Sequence, residues 1–298
     1  MKPRYFLILL ILGAIWGSSF LFARITVGEF GAIPLSAVRS LIAAAVLFPM
    51  MLLSGGWKQF VAYWKHFIVL GLISTALPFT FITLTTQFST AGFASILNSF
   101  TSIMSALIAW IWLKEYLSIQ AILGICLSLI GVVIMVVDTQ SISSELILLP
   151  VLTGLGAAFF YGLTGNYSKK YTDGLPSIVS ATGCQVYAAL FLLPPAIFLW
   201  PDNTISTGGW INAVILGLMC TALAFILFFQ LLEKIGIVRT MIVTYLIPLF
   251  GVFWGFLFLD ELITLNITIG AMLILAGVAM TTGVLSYFLQ KKRDHAET

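Results

Sequence analysis

Four polar residues, Asn98, Thr101, Ser102 and Ser105, interrupt an apolar run at a spacing of i, i+3, i+4 and i+7. On a continuous helix they share one face. Hydrogen-bonding groups inside such a segment turn toward a bundle interior or a water-filled cavity. Their chemistry is binding: hydroxyls and an amide exchange hydrogen bonds but do not titrate near neutral pH. Small residues are also the ordinary glue of membrane helices, so packing competes with this reading. A second group repeats. Trp16 and Ser19 in the first apolar segment match Tyr161 and Thr164 at a separation of 145. Trp16 lies about 17 Å along its helix from Tyr5, near mid-membrane and away from the interfacial belt where Trp concentrates. An aromatic there packs, stacks on a ligand or holds a cation. Tyr245, beside Thr244, has the same character, and Thr80 and Thr83 supply hydroxyls in the third segment. Arg39 stands about 7 Å into the second segment, where it can snorkel, pair with Glu29, or present charge to a carboxylate. Arg24 reads as a snorkel to the headgroups. The expected substrate-binding set is Trp16, Ser19, Arg39, Thr83, Asn98, Thr101, Ser102, Tyr161, Thr164, Thr244 and Tyr245.

Other chemistries lack material. No Asp or Glu falls near the middle of any apolar segment, and the two histidines are His66 and His295. A metal site, an intramembrane protease or a His-based transferase has nothing to be built from. No GxxxxGK[ST] motif marks a nucleotide site, and no cofactor is expected. Cys126, Cys184 and Cys220 sit in apolar segments and read as small core residues.

The elements that must position these residues follow from composition. Hydrophobic residues make up 60% and charged residues 8% of the 298-residue chain, whereas a soluble domain carries roughly a quarter charged. The fold class is an all-α integral membrane protein. Ten segments reach spanning length: roughly 5–27, 34–53, 67–86, 90–113, 118–137, 145–168, 176–200, 208–232, 236–259 and 264–287. The longest connection, 54–66, places Trp, Phe and Tyr between lysines, as an interfacial segment does.

Basic residues are one-sided. With a cytoplasmic N-terminus, the inner loops and tails hold Lys2, Arg4, Lys58, Lys65, Lys114, Lys169, Lys170, Lys234, Lys291, Lys292 and Arg293; the outer loops hold Glu29, Asp138, Asp202, Asp260 and Glu261. Arg239 reads as another cytoplasmic-side snorkel. This charge is not a nucleic-acid footprint.

Residues 74–136 align without a gap on 220–282 at a separation of 146, matching Thr75/Thr221, Glu115/Glu261, Gly124/Gly270 and Gly131/Gly277. The chain is an internal duplication, with halves at 1–140 and 141–298. Five spans per half is odd, so the repeats are inverted, a transporter architecture with substrate near the midplane. Glu115 and Glu261 are expected to cap the helices that follow them, with Ser118 and Thr264 as further caps. Pro248 is expected to kink its helix.

The pattern resembles the ten-helix EamA family of the drug/metabolite transporter superfamily. The residues carrying the resemblance are Trp16-Gly17-Ser18-Ser19-Phe20, Arg39, Lys114-Glu115, Gly124, Gly131, Tyr161-Gly162, Gly236, Pro248, Glu261, Gly270 and Gly277. It implies export or exchange of a small metabolite, often an amino acid or a relative, through a cavity lined by helices 1, 3, 4, 6, 8 and 9. The alternative it allows is a flippase for lipids or lipid-linked precursors. The expected partners are a small-molecule substrate and the lipid bilayer, with no nucleic acid, and the chain is expected to act as a monomer, a dimer being the alternative. The expected location is the bacterial inner membrane, both termini cytoplasmic. With no carboxylate or histidine near the middle of a span, facilitated diffusion or exchange is expected rather than proton coupling.

Overall fold

A computed structural model describes residues 3–137, 148–236, 240 and 242–281. Lys2, Asp138, Arg239, Lys291, Lys292, Arg293 and His295, used above, lie outside them. The described residues form helices and turns, with no β-strand. Eight helices are long and apolar enough to cross a bilayer: α1 (Pro3–Phe30), α2 (Ala32–Leu53), α3 (Trp64–Phe88), α4 (Ala91–Leu113), α5 (Ile119–Val137), α6 (Leu148–Tyr171), α7 (Ser177–Phe198) and α8 (Thr207–Ile235). Two apolar helices of 17 residues, α9 (Val243–Leu259) and α10 (Leu265–Thr281), bring the described spans to the ten expected. A short helix, Trp57–Ala62, links α2 to α3, its Trp57 and Phe60 rings stacked at 5.8 Å.

The duplication is visible in the details. α3 and α8 each contain a π-helical stretch, Gly71–Ala76 and Leu218–Leu223, at nearly equivalent positions. α4 and α9 end alike: Lys114 (φ 58°) and Asp260 (φ 51°) are left-handed, and the next amide, of Glu115 or Glu261, reaches back to the carbonyl of Ala109 or Gly255 at 3.2 Å. Ser118 and Thr264 then cap the next helices through the amides of Ala121 (3.1 Å) and Ile267 (3.2 Å), as expected.

Two helices cross their own duplicates. In the α5/α10 crossing Gly124 faces Gly277 and Gly131 faces Gly270, so close that an added Cβ would strike the opposite carbonyl. Between them Ser128 Oγ donates to the carbonyl of Ile274 at 3.2 Å, two positions 146 apart. In the α2/α7 crossing Thr182 bonds the Leu47 carbonyl (3.2 Å), while Ala37 packs near Ala188. In both crossings one chain ascends as the other descends. A helix lying antiparallel to its own copy is what an inverted repeat requires.

The halves are not in the same arrangement. One face of the bundle carries Glu29 and Glu261 (the acidic face); the other carries Lys58 and Lys169 (the basic face). Toward the acidic face the last turns of α3, Leu77–Phe88, pack against both α1 and α6. Phe20, Ile82, Ala91, Ala94, Ala157 and Ile247 form one buried cluster there. The equivalent turns of α8, Ala224–Ile235, pack against α1 but, among the described residues, make no comparable contact with α6. Among the described residues the bundle is packed more closely toward the acidic face than toward the basic one.

α9 stays helical on both sides of Pro248. Two other local expectations change. A break falls in α4, which is helical over Ala91–Asn98 and again over Thr101–Ile108. There the amides of Ser99 and Phe100 turn back to carbonyls three residues away (both 3.0 Å), tightening the chain between two α-helical stretches. Cys126 is exposed on α5 rather than in a core.

Candidate substrate site

Arg39 is the centre of the candidate site. It leaves the buried face of α2 and is 5% exposed. Its Nε donates to Thr221 Oγ1 (2.8 Å) on the π-helical stretch of α8, and its guanidinium lies 3.8 Å from the centre of the Phe79 ring on α3. Thr221 is itself held by a 2.9 Å bond to the Leu216 carbonyl. Tyr161 and Cys220 are close enough to couple electrostatically with the guanidinium. No carboxylate is. The ion pairs among the described residues are Lys169–Glu115 and Lys234–Glu233. Glu29, the partner the sequence offered, instead accepts from Ser206 N (2.7 Å) and Ser206 Oγ (2.9 Å). An unpaired buried charge costs several kcal/mol, and this one is met by a hydroxyl and a ring face.

The repeated aromatics converge. Trp16 and Tyr161 lie against one cluster with Phe20, Phe81 and Ala94. Trp16 also meets the Phe228 ring at 5.4 Å and the Phe225 ring, edge-on, at 6.3 Å. Ser19 is buried one turn from Trp16. Asn98 lies one turn beyond Ala94 on α4, and its Oδ1 is buried with no hydrogen-bond partner. Thr101 donates to the Asn98 carbonyl at 2.8 Å, bridging the break in α4, and Ser102 is half-buried beside it.

Other members of the expected set sit in helix contacts. Thr83 donates to the Phe79 carbonyl (2.8 Å) and approaches Ser36 at 3.5 Å, in the α2/α3 contact. Thr164 donates to the Phe160 carbonyl within α6 (2.9 Å). Ser105 is engaged by Asn166 of α6, whose Nδ2 reaches the Ser105 carbonyl (2.9 Å) and Oγ (3.2 Å). Thr244 and Tyr245 are half-buried at the start of α9, with Tyr245 packed against the core formed by α4, α5, α6 and α10.

Sequence reasoning missed Thr221, Phe79 and Gln185. Thr221 carried a signal as the twin of Thr75; Phe79 was one of 24 phenylalanines. Gln185 and Ser40 are fully buried at the α2/α7 crossing, and no side-chain polar atom of either has a partner.

Three end-of-helix expectations are corrected. Arg24 does not reach for headgroups: its Nη1 donates to the carbonyls of Thr86 and Gln87, both at 3.0 Å. Glu261 caps α4, not the helix that follows it, accepting from Ala91 N (2.6 Å) and Gly92 N (3.0 Å). Burial pushes the Glu261 carboxyl above the ordinary carboxylate range, against the pull of those amides and of Arg24. Among the described residues Glu115 does not cap the helix that follows it; it pairs with Lys169.

The model of the EamA-like transporter family matches residues 4–137 and 148–283. The chain belongs to the EamA-like transporter family. The curated relatives that match it carry the same general description. An uncharacterized transporter of Archaeoglobus fulgidus is 27% identical over 95% of this chain and 98% of its own length. The uncharacterized transporter YvbV of Bacillus subtilis is 23% identical over 94% and 92%. A solved crystal structure superposes with a TM-score of 0.65 over 97% of this chain and 99% of that one; at 17% identity it is a likeness of fold alone. In this EamA family transporter Trp16 and Tyr161 share one cluster.

Proposed function

We propose that this transporter exports or exchanges a small metabolite carrying a carboxylate, an amino acid or a close relative, by alternating access between its inverted halves. The observation that carries the reading is Arg39, a buried guanidinium with no carboxylate partner among the described residues. A charge placed in a membrane without a counter-ion marks a functional site by default, and the planar guanidinium matches a carboxylate. Asn98 supplies a buried acceptor for a donor on the same substrate. Trp16 and Tyr161 supply ring faces for its apolar part. The basic face is cytoplasmic, following the distribution of lysine and arginine, in a bacterial inner membrane. Flow follows the substrate's own gradient, because no carboxylate or histidine lies near the middle of a span.

The test pairs binding with flux. Amino acids should raise the melting temperature of the purified protein, and their carboxamides should not, since only a ligand of the folded state stabilises it. Arg39→Gln should lose this selectivity and Arg39→Lys should keep part of it. In proteoliposomes a pH gradient alone should produce no accumulation. Equal stabilisation by acid and amide forms, or by lipid-linked precursors only, would overturn the reading.

A further inference from the structure

The turn between α3 and α4, at the acidic face, is gripped from both sides. Arg24, near the end of α1, donates to the last carbonyls of α3, Thr86 and Gln87. Glu261, just past the end of α9, accepts from the first amides of α4, Ala91 and Gly92. Each charge meets the helix end whose dipole it complements. α1 and α9 that carry them are themselves in close contact: an added Cβ on Gly17 would strike Phe250, and Trp254 Nε1 donates to the Ala14 carbonyl at 3.0 Å. The left-handed Asp260 aims Glu261 back across the turn.

The repeat supplies a second copy of the same pair. Arg24 corresponds to Lys169 at a separation of 145, and Glu261 to Glu115 at 146. At the basic face, among the described residues, these two meet each other: Lys169 Nζ bonds Glu115 Oε1 directly at 2.6 Å, with both side chains substantially solvent-exposed. The counterparts of Ala91 and Gly92, residues 237 and 238, lie outside the described residues. This is also the face where, among the described residues, α8 makes no contact with α6 comparable to that of α3 with α1. One pair of charges is thus seen in two states, and the state matches the packing of the face that carries it.

We propose that Arg24 and Glu261 are positioning residues of the transport cycle: they hold the α3–α4 turn over the centre while the acidic face is closed, and release it by pairing with each other when that face opens. Lys169 and Glu115 display the released state at the opposite face. The proposal rests on the alternating-access reading above and adds the groups that set which side is open. Four charge-assisted bonds break on release and one ion pair forms in water, so the closed acidic face is favoured until substrate contacts offset the difference.

The first test needs no substrate. In a variant with its native cysteines replaced, Phe20→Cys reports on the closed cluster, and an impermeant maleimide is applied to either side of oriented proteoliposomes. With the grip intact, labelling from the acidic face should be slow. Arg24→Gln or Glu261→Gln should raise that rate about tenfold, the equivalent of losing one charge-assisted bond. Labelling from the basic face should not rise. Parental rates in both variants would overturn the proposal, as would equal acceleration from both faces, which denotes general loosening. The second test leaves the grip in place. Thr90 and Leu262 line one small cavity with Glu261, and a bis-maleimide bridge between Thr90→Cys and Leu262→Cys pins the turn to α9. Exchange of a radiolabelled amino-acid set should stop on bridging, while the same unbridged variant exchanges normally. Parental exchange by the bridged protein would overturn the grip alone; absence of exchange in the parent would overturn the transport reading instead.

Discussion

At the residue scale, the candidate site is defined by polar groups that the fold leaves under-satisfied. Arg39 has Thr221 and a phenyl ring where a buried cation ordinarily has a carboxylate. Asn98 Oδ1 is buried without a donor, a state that costs about 1–3 kcal/mol. Such a cost is a structural defect if the residue only packs, and a binding group if a ligand completes it. The two readings diverge for Asn98→Leu. As a ligand acceptor, the residue is expendable for folding, so the variant should melt at or above the parental temperature while losing most exchange activity. A lower melting temperature with normal exchange would make Asn98 a packing residue. Thr164 and Ser105 contrast with it. Their hydroxyls are already used on the Phe160 carbonyl and on Asn166, and they carry no such prediction.

At the element scale, the helix ends are more specific than the helix middles. α4 and α9 close through Lys114 and Asp260 in the left-handed region, where a side chain costs roughly 1–2 kcal/mol. Glycine adopts this conformation freely. Relief of that strain, less the entropy glycine adds to the unfolded chain, should leave Lys114→Gly stabilising by roughly 0.5 kcal/mol and Asp260→Gly by less, measured as a raised melting temperature in detergent. Asp260→Val should lower it, because a β-branched residue fits that conformation worst. The element contacts show the opposite use of glycine. At Gly124, Gly131, Gly270 and Gly277 space is required, because each faces the copy of α5 or α10 within reach of an added Cβ. The π-helical stretches serve a third purpose. By widening α8 at Leu218–Leu223 the chain presents Thr221 to Arg39, a presentation helical periodicity alone does not foretell.

At the scale of the whole molecule, one duplication explains both the symmetry and its breaking. Two helices cross their own copies, at Ser128–Ile274 and around Ser40 and Gln185, so the halves are related by a pseudo-twofold arrangement. The halves nonetheless differ: α3 is packed on both α1 and α6, while the equivalent part of α8 is packed on α1 alone among the described residues. Orientation of the acidic and basic faces is testable directly. Single cysteines at Glu29 and Asp202 should label from outside intact cells, and those at Lys58, Lys114 and Lys169 should not. The reverse pattern would invert the direction assigned to transport, and labelling from both sides would indicate dual insertion.

The sequence by itself determined the class, the ten spans and the inverted duplication. Those depend on hydrophobic length, the parity of spans and residues matched at a constant separation, all local or repeated properties of the chain. It also brought forward Trp16, Tyr161, Arg39 and Asn98, because a polar or aromatic group in mid-span stands out against an apolar background. Partners were a different matter. Arg39 meets Thr221 across 182 positions, and Glu261 caps a helix 169 positions before it. In the sequence Arg24 looked like a headgroup snorkel, and Glu261 like a cap for its own neighbour. Only the tertiary structure decided otherwise: a charge near a helix end goes to whichever backbone terminus packing brings within about 3 Å, and spacing along the chain does not encode which terminus that is.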